Sequence, residues 1–238
     1  MSTIQRVILF DIDGTLLSTP ITEEGEGRRY VVTIDDVVGK EPNVVPSRFA
    51  GMVDPQICKI LLSEMGLTND RVEYFLPKVL SHMGEVYGKM EKKVGLNSGV
   101  TGLLAILATS PGVVTGVLTG NLKSVAEQKL TCTGIRVYCS EMFCADRYFD
   151  RTSLVENAAK TCVREYGLKS TRSIVIVGDT PRDIEAANAS GTTSVGIATG
   201  VYSMTQLRQA GATHVYPTLE ATEELLASLG VRLGGEKR

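Results

Sequence analysis

The sequence predicts an α/β protein: a doubly wound parallel sheet carrying an inserted, mostly helical segment. Three observations predict it. Short apolar runs alternate with helical patterns after residue 97, which is the pattern of parallel strands joined by crossover helices. Runs such as Val113–Leu118 and Ile174–Val177 are continuous rather than alternating, as expected of strands covered on both faces. The first apolar run, Val7–Phe10, is separated from the others by residues 19–96, which read as helical with no confident strand. Residues 1–18 and 97–238 are therefore expected to form the sheet core, and residues 19–96 a separate helical domain.

Taken in order, Val7–Phe10 has the length and β-branched content of a buried strand. A polar, glycine-bearing stretch follows, Ser18–Gly27. The next helix is expected over Arg28–Val38, closed by Gly39, with Pro42 and Pro46 marking a loop. Pro55–Gly66 reads as a helix with Asp54 as its N-cap, and Arg71–Lys92 as another with an interruption at Pro77. Beyond Gly95 a helix is expected over Val100–Ala108, a strand over Val113–Leu118 and a helix to about Leu130. A weaker strand falls at Ile135–Tyr138 and an amphipathic helix at Ser153–Tyr166. Strand Ile174–Val177, a helix to Ala189, strand Thr193–Ile197, helix Met204–Ala210, a short strand at His214-Val215 and a helix over Leu219–Leu229 complete the chain.

Composition excludes several function classes. Net charge is −2 over 238 residues, with the basic residues scattered, so no nucleic-acid surface is expected. No apolar stretch approaches the ~18 residues of a membrane span. The first strand begins too early for a signal peptide, which points to the cytoplasm. Five cysteines without a C-x-x-C pair fit reduced, mostly buried thiols. With only His82 and His214, a histidine-based metal site or Ser-His triad is not expected.

Three predicted strands end in polar loops, and in open α/β sheets ligands lie at those carboxyl ends. The loops are Asp11-Ile12-Asp13-Gly14-Thr15, Thr119-Gly120-Asn121 and Gly178-Asp179-Thr180-Pro181-Arg182-Asp183. Carboxylates gathered there repel one another and call for a hard cation. Oxygen ligands without histidine or thiolate favour Mg²⁺, which keeps few protein carboxylates and takes a substrate phosphate. Thr119, Gly120 and Asn121 suit phosphate oxygens at a helix start. Plainer readings stand beside these. Asp13-Gly14 is also a hairpin turn signal, Asn121 also an N-cap, and Thr180-Pro181-Arg182-Asp183 also a capping box.

The three loops resemble the first, second and fourth motifs of the haloacid dehalogenase-like hydrolase superfamily, closest to its phosphoglycolate phosphatase-like branch. The resemblance spans almost the whole chain and includes Ala198-Thr199-Gly200-Val201-Tyr202. It implies a Rossmann-like core with a helical cap, and a Mg²⁺-dependent phosphatase acting on a small phosphorylated metabolite. Asp11 would be the nucleophile, forming an aspartyl phosphate, and Asp13 the general acid and base. Asp11, Asp13 (through its carbonyl), Asp179 and Asp183 would hold the metal, and Thr15 would orient the first loop. The family's third-motif cation lacks its usual Lys-Pro pair here. Arg151 is the best equivalent, with Arg147 and Lys129 as alternatives; Lys129 reads better as a solvated helix-end charge. In the cap, Arg28 or Arg29 is placed to reach a substrate anion, against a solvent-facing charge. Arg28 is the one expected to bind.

Alternatives on the same fold are a 2-haloacid dehalogenase, which uses one aspartate and no metal, and a sugar phosphomutase. A catalytically retired binding protein is the alternative of another class. A monomer or homodimer is expected.

Overall fold

The computed structural model describes residues 3–18, 23–91 and 94–231, the side chains of residues 23 and 24 excepted. Six parallel strands form the core sheet: β1 (Arg6–Phe10), β4 (Val113–Leu118), β5 (Glu141–Phe143), β6 (Ile174–Gly178), β7 (Thr193–Ile197) and β8 (His214–Tyr216). Their spatial order is β5-β4-β1-β6-β7-β8. β1 is central, paired with β4 on one side and β6 on the other. The chain therefore reverses its winding direction at β1, and the crevice at a switch in strand order opens at the strands' carboxyl ends.

The alternation of side chains along β1 explains the two layers. Ile8 and Phe10 pack on one face with Leu103, Leu104 and Leu107 of α4 (Val100–Thr109) and Leu130 of α5 (Lys123–Cys132). Val7 and Leu9 pack on the other with Leu154, Val155 and Ala158 of α6 (Arg151–Tyr166) and Ala187 of α7 (Pro181–Ala189). Both faces are covered, so Val7 through Phe10 have no exposed surface and the run carries no polar residue. α8 (Met204–Gln209) and α9 (Glu223–Ser228) complete the core; α9 is shorter than the Leu219–Leu229 expected, because Thr222 caps it at Leu225 N–H.

Between β1 and α4, three helices form a second apolar cluster: α1 (Arg28–Val38), α2 (Asp54–Glu64) and α3 (Asn69–Lys89). Leu122 and Val125 of the sheet core join that cluster, so it packs directly on α5. The two chain crossings are tied together by a short antiparallel pair, β2 (Leu17–Ser18) with β3 (Gly95–Leu96). Pairing this short is invisible to periodicity, and it adds Gly95–Leu96 as a strand at the end of the segment read as mostly helical. Asn97 reinforces the junction by donating to the carbonyls of Gly14 and Thr15.

Three local expectations are corrected. Asp54 is the first residue of α2 rather than its N-cap; Val53 holds the cap position, and the Asp54 side chain is directed elsewhere. Ile135–Tyr138 is not a strand. It forms a turn with a 3-10 segment, and the edge strand begins at Glu141, where Gly116 lets the two backbones approach. α3 runs unbroken through Pro77. Buried Val72, Leu76, Val79 and Met83 anchor it on both sides of the proline, and tertiary packing outweighs the missing N–H.

Pro77 is exposed and contributes a lost hydrogen bond to the Glu73 carbonyl without packing in return. Pro77→Ala should therefore raise unfolding free energy by about 1–3 kcal/mol in urea titration, a helix-interior proline costing about 3 and its unfolded-state entropy offsetting part. A loss of stability would show that the ring's fixed φ is needed at this point of α3.

Candidate active site

β1, β4 and β6 each end in one of the polar loops, and the loops converge under α1, α2 and the turn at Pro46–Phe49. A cavity of about 90 Å³ lies there, lined by Asp11, Asp13, Thr119, Arg151 and Asp179 from the sheet and by side chains of the inserted helices. Asp11 follows the last residue of β1, with its N–H donated to the Val177 carbonyl. Gly14 then adopts a φ of 81°, which turns the chain back so that Gly14 N–H reaches the Leu17 carbonyl.

Asp11, Asp179 and Asp183 each offer a carboxylate oxygen within 4.8 Å of the others, all three buried. Arg151, the first residue of α6, neutralises part of this crowd. Its Nη2 donates to Asp11 Oδ1 at 2.9 Å and to the Leu118 carbonyl at 3.1 Å, and lies 2.6 Å from Asp183 Oδ1. Asp150 before it caps α6 at Ser153 N–H, which fixes where the guanidinium enters. Among the described residues Arg151 alone makes an ion pair with Asp11. Arg147 is exposed, away from the acids.

Asp183 has two tasks. Its Oδ2 accepts from Thr180 N–H and from the Thr180 hydroxyl, closing the capping box of α7. Its Oδ1 faces Arg151. The helix-start reading and the site reading of this loop are thus both realised by one carboxylate. Asp179 is enclosed by backbone: a Cβ on Gly14 or Gly200 would strike its carboxyl group at 2.3 and 1.8 Å. The turn after β7 therefore closes over Asp179, helped by Thr199, whose hydroxyl donates to the Gly14 carbonyl at 2.6 Å. Thr15 donates to Asp179 Oδ1 at 2.9 Å and is fully buried away from the cavity. Thr15 thus ties the first loop to Asp179 and takes no place in the cavity lining.

Burial pushes the Asp11 carboxyl up; Arg151 pulls it back, Asp183 and Asp13 push again, and it reaches about 7. Burial, with Asp183 and Asp11 beside it, also raises Asp179 well above the carboxylate range. Asp13 goes the other way. Burial raises it, yet Lys129, Arg29 and the Asn121 amide outweigh that and hold it at about 2.

Lys129 is the principal correction at this site. Far from being solvated, it has no exposed surface, and its Nζ lies 2.7 Å from both Asp13 oxygens and 2.7 Å from Glu26 Oε2. It occupies the last turn of α5, where the helix passes beneath the first loop, and Glu26 descends from the inserted segment to meet it. Arg29 is the other correction. Arg28 is exposed, while its neighbour turns inward and lines the cavity, because α1 buries Arg29, Tyr30, Thr33 and Ile34 along one face. Arg29 donates to Asn121 Oδ1 at 2.7 Å, to Asp54 Oδ1 at 2.9 Å and to the Tyr30 hydroxyl at 2.7 Å. Asp54 also accepts from the Tyr30 hydroxyl and from Leu122 N–H of the core.

Asn121 is not an N-cap; Leu122 is. Its amide donates to Asp13 Oδ2 at 2.7 Å and to Thr119 Oγ1 at 2.8 Å, while its carbonyl oxygen receives Arg29. It is committed to protein partners and fixes Asp13 and Thr119 relative to each other. Gly120 is a contact point: its carbonyl accepts from Asp54 N–H, and a Cβ there would lie 2.3 Å from the Met52 carbonyl oxygen. The sequence assigns Glu26, Asp54 and Tyr30 no individual role at the site. Their only sequence signal is a cluster of ionisable residues at the start of α1 and α2, which is also what solvated helix ends look like.

Lys129→Met should destabilise the protein by about 2–3 kcal/mol in urea unfolding, because half-buried Asp13 and Glu26 would lose their shared cation. Glu26→Gln added to it should recover part of that loss; strict additivity would mean the pair is not coupled.

In metal-free buffer, a native carboxyl at about 7 holds its proton while the unfolded one, near 4, has lost it. Stability from this group is present at low pH and declines as pH climbs from about 4 to 7. Asp11→Asn should remove that decline, so the variant should gain on the wild type between pH 5 and 7.5 in thermal unfolding. Parallel curves would show that Asp11 titrates normally.

The chain matches a family model described as haloacid dehalogenase-like hydrolase over residues 8–197. Comparison with curated proteins returned no significant match. Among solved structures, the fold is similar to a predicted phosphoglycolate phosphatase from Haemophilus somnus, with a TM-score of 0.67, 21% identity and coverage of 92% of this chain and 96% of that one. A hydrolase from Pseudomonas syringae gives a TM-score of 0.66 at 19% identity, covering 90% of this chain and 94% of its own. A haloacid dehalogenase-like family hydrolase from Streptococcus pneumoniae gives 0.62 at 16%, covering 95% and 99%. These likenesses establish the fold of the whole chain, and the family match covers most of its length, including all three acidic and polar loops: the chain belongs to the haloacid dehalogenase-like hydrolase family.

Proposed function

We propose that this protein is a Mg²⁺-dependent phosphatase that hydrolyses a small phosphomonoester through an aspartyl phosphate on Asp11. The observation that carries the reading is Asp11 itself. It is a buried carboxylate at the carboxyl edge of the central strand, facing a cavity and steadied by Arg151. A group this costly to bury needs a chemical task.

The donor set suits a hard divalent ion. Asp11, Asp179 and Asp183 supply only oxygen, no thiolate or imidazole lines the cavity among the described residues, and only Asp11 and Asp183 of the three pair with a cation, Arg151. Asp11 and Asp179, with the Asp13 carbonyl, would hold Mg²⁺ directly, Asp183 more remotely since Thr180 and Arg151 already engage both its oxygens. The bound ion would neutralise charge on the transferring phosphoryl group.

The chain's own groups do the rest. An Asp11 oxygen attacks phosphorus in line, and the phosphorus–oxygen bond to the alcohol breaks. Thr119 Oγ1 accepts from Asn121 twice, leaving its own hydrogen for a phosphoryl oxygen. Asp13 gives a proton to the departing oxygen and takes one from the water that cleaves the aspartyl phosphate. Lys129 and Arg29 hold Asp13 ionised in the resting site. Asp13 must therefore take a proton from solvent before it can protonate the departing oxygen, and it regains one from the attacking water in the second step. Residues 23–91 act as the cap, excluding water from the phosphoenzyme.

Asp11→Asn should abolish release of inorganic phosphate from p-nitrophenyl phosphate while circular dichroism stays native. Chelator should do the same to the wild type, reversed by added Mg²⁺. Phosphate release indifferent to chelator would remove the metal from the reaction, and near-normal turnover of the asparagine variant would remove Asp11 as nucleophile.

A further inference from the structure

The cavity wall supplied by the inserted segment bears on what kind of alcohol the site can receive. Pro46, Phe49, Met52 and Ile57 of the inserted segment line it, so the space beyond the phosphoryl position is bounded by apolar side chains. Phe49 and Ile57 belong to the apolar cluster of that segment and are held in place by its packing. The cations lining the cavity, among the described residues, are Arg29 and Arg151. Arg151 belongs to Asp11 and Asp183.

Among the described residues Arg29 is the one cation of the inserted segment that lines the cavity, and both of its Nη groups are engaged. Nη1 donates to Asn121 and lies 3.4 Å from Asp54 Oδ2; Nη2 donates to Asp54 and Tyr30; Nε faces Glu26 Oε2 at 3.3 Å. Asp54 is in turn anchored by Leu122 N–H, so releasing Arg29 would strand a buried carboxylate. Charge balance points the same way. Asp11, Asp13, Glu26, Asp54, Asp179 and Asp183 stand against Arg29, Lys129 and Arg151 within one connected cluster. A divalent ion and a phosphoryl dianion cancel each other and leave that excess of negative charge in place. Among the described residues, each cation lining the cavity already faces a carboxylate, and a second anion on the substrate would meet like charge at short range.

We propose that the alcohol half of the substrate is small, uncharged and mainly apolar, excluding carboxylate-bearing phosphomonoesters. The proposal rests on the phosphomonoester reading above and narrows its substrate class. The neutral ester is selected because the apolar wall gains contact with it. The anionic ester is rejected because Glu26 and Asp54 have already claimed the cation it would need.

Propyl phosphate and phosphoglycolate form the test pair, one neutral in its alcohol half and the other carrying a carboxylate. In wild-type protein with Mg²⁺, kcat/KM for phosphate release should be at least about tenfold higher for propyl phosphate. In the Asp11→Asn variant with Mg²⁺, calorimetry should show propyl phosphate bound at least about tenfold more tightly. Met52→Lys, which places a free ammonium on the half-buried part of the wall, should narrow or reverse both ratios. Equal or better use and binding of phosphoglycolate by the unmodified wall would overturn the proposal. Preferential binding of propyl phosphate without any turnover would leave it standing and strike only the hydrolase reading. Binding of neither ester would overturn both.

Discussion

The contact between Arg151 and the Asp11–Asp183 pair is the constraint on which the site depends. Three buried carboxylates within ligand distance of one another are not stable together without compensating charge. Arg151 supplies that charge from the first turn of α6, and its contacts join the ends of β1, β4 and α7 through one guanidinium. Burial works against the guanidinium's charge, but Asp183 and Asp11 more than offset it and hold Arg151 protonated more firmly than usual. What remains uncompensated is concentrated on Asp11 and Asp179, where burial and like charge raise proton affinity. The same physics that makes these two hold protons makes them good ligands for a divalent ion, since either cation relieves the repulsion.

A second charge network does for the inserted helices what Arg151 does for the sheet. Lys129 lies between Asp13 of the core and Glu26 of the insertion, and Arg29 lies between Asn121 of the core and Asp54 of the insertion. Each cation spans the boundary, so the closed cavity is held by charge-assisted bonds as well as by the apolar contact with Leu122 and Val125. Backbone approaches at Gly120 and at Gly51, whose Cβ would strike the Thr180 hydroxyl, let the boundary close to hydrogen-bond range. Asp13 is thereby tied to the inserted segment through Lys129, which also pairs with Glu26.

Much was legible in the chain because it depends on local or periodic signals. Apolar runs located β1, β4 and β6, strands covered on both faces, and the helix–strand alternation located β7. α1 was bounded correctly by its apolar stripe and by Gly39, whose left-handed conformation ends the helix. Where packing overrode local preference, as through Pro77, or where pairing was only two residues long, as in β2 and β3, the chain gave no usable sign. Ile135–Tyr138 failed because a β-branched, aromatic run fits a strand and a tight turn alike; the available sheet edge, opened by Gly116, lay three residues further on.

By itself the sequence determined the strand-end acids, their order and the need for a cation among them, because carboxylates at the ends of buried strands are readable as a cost without any coordinates. It did not determine which basic side chain meets which acid. Arg28 and Arg29 are adjacent and identical in kind, and only the rotation of α1 sends one to solvent and the other to Asp54. Lys129 resembles a solvated helix end until α5 is placed beneath the first loop. Ion pairs across more than a hundred residues depend on how helices are turned and stacked, and packing of the whole molecule alone sets that.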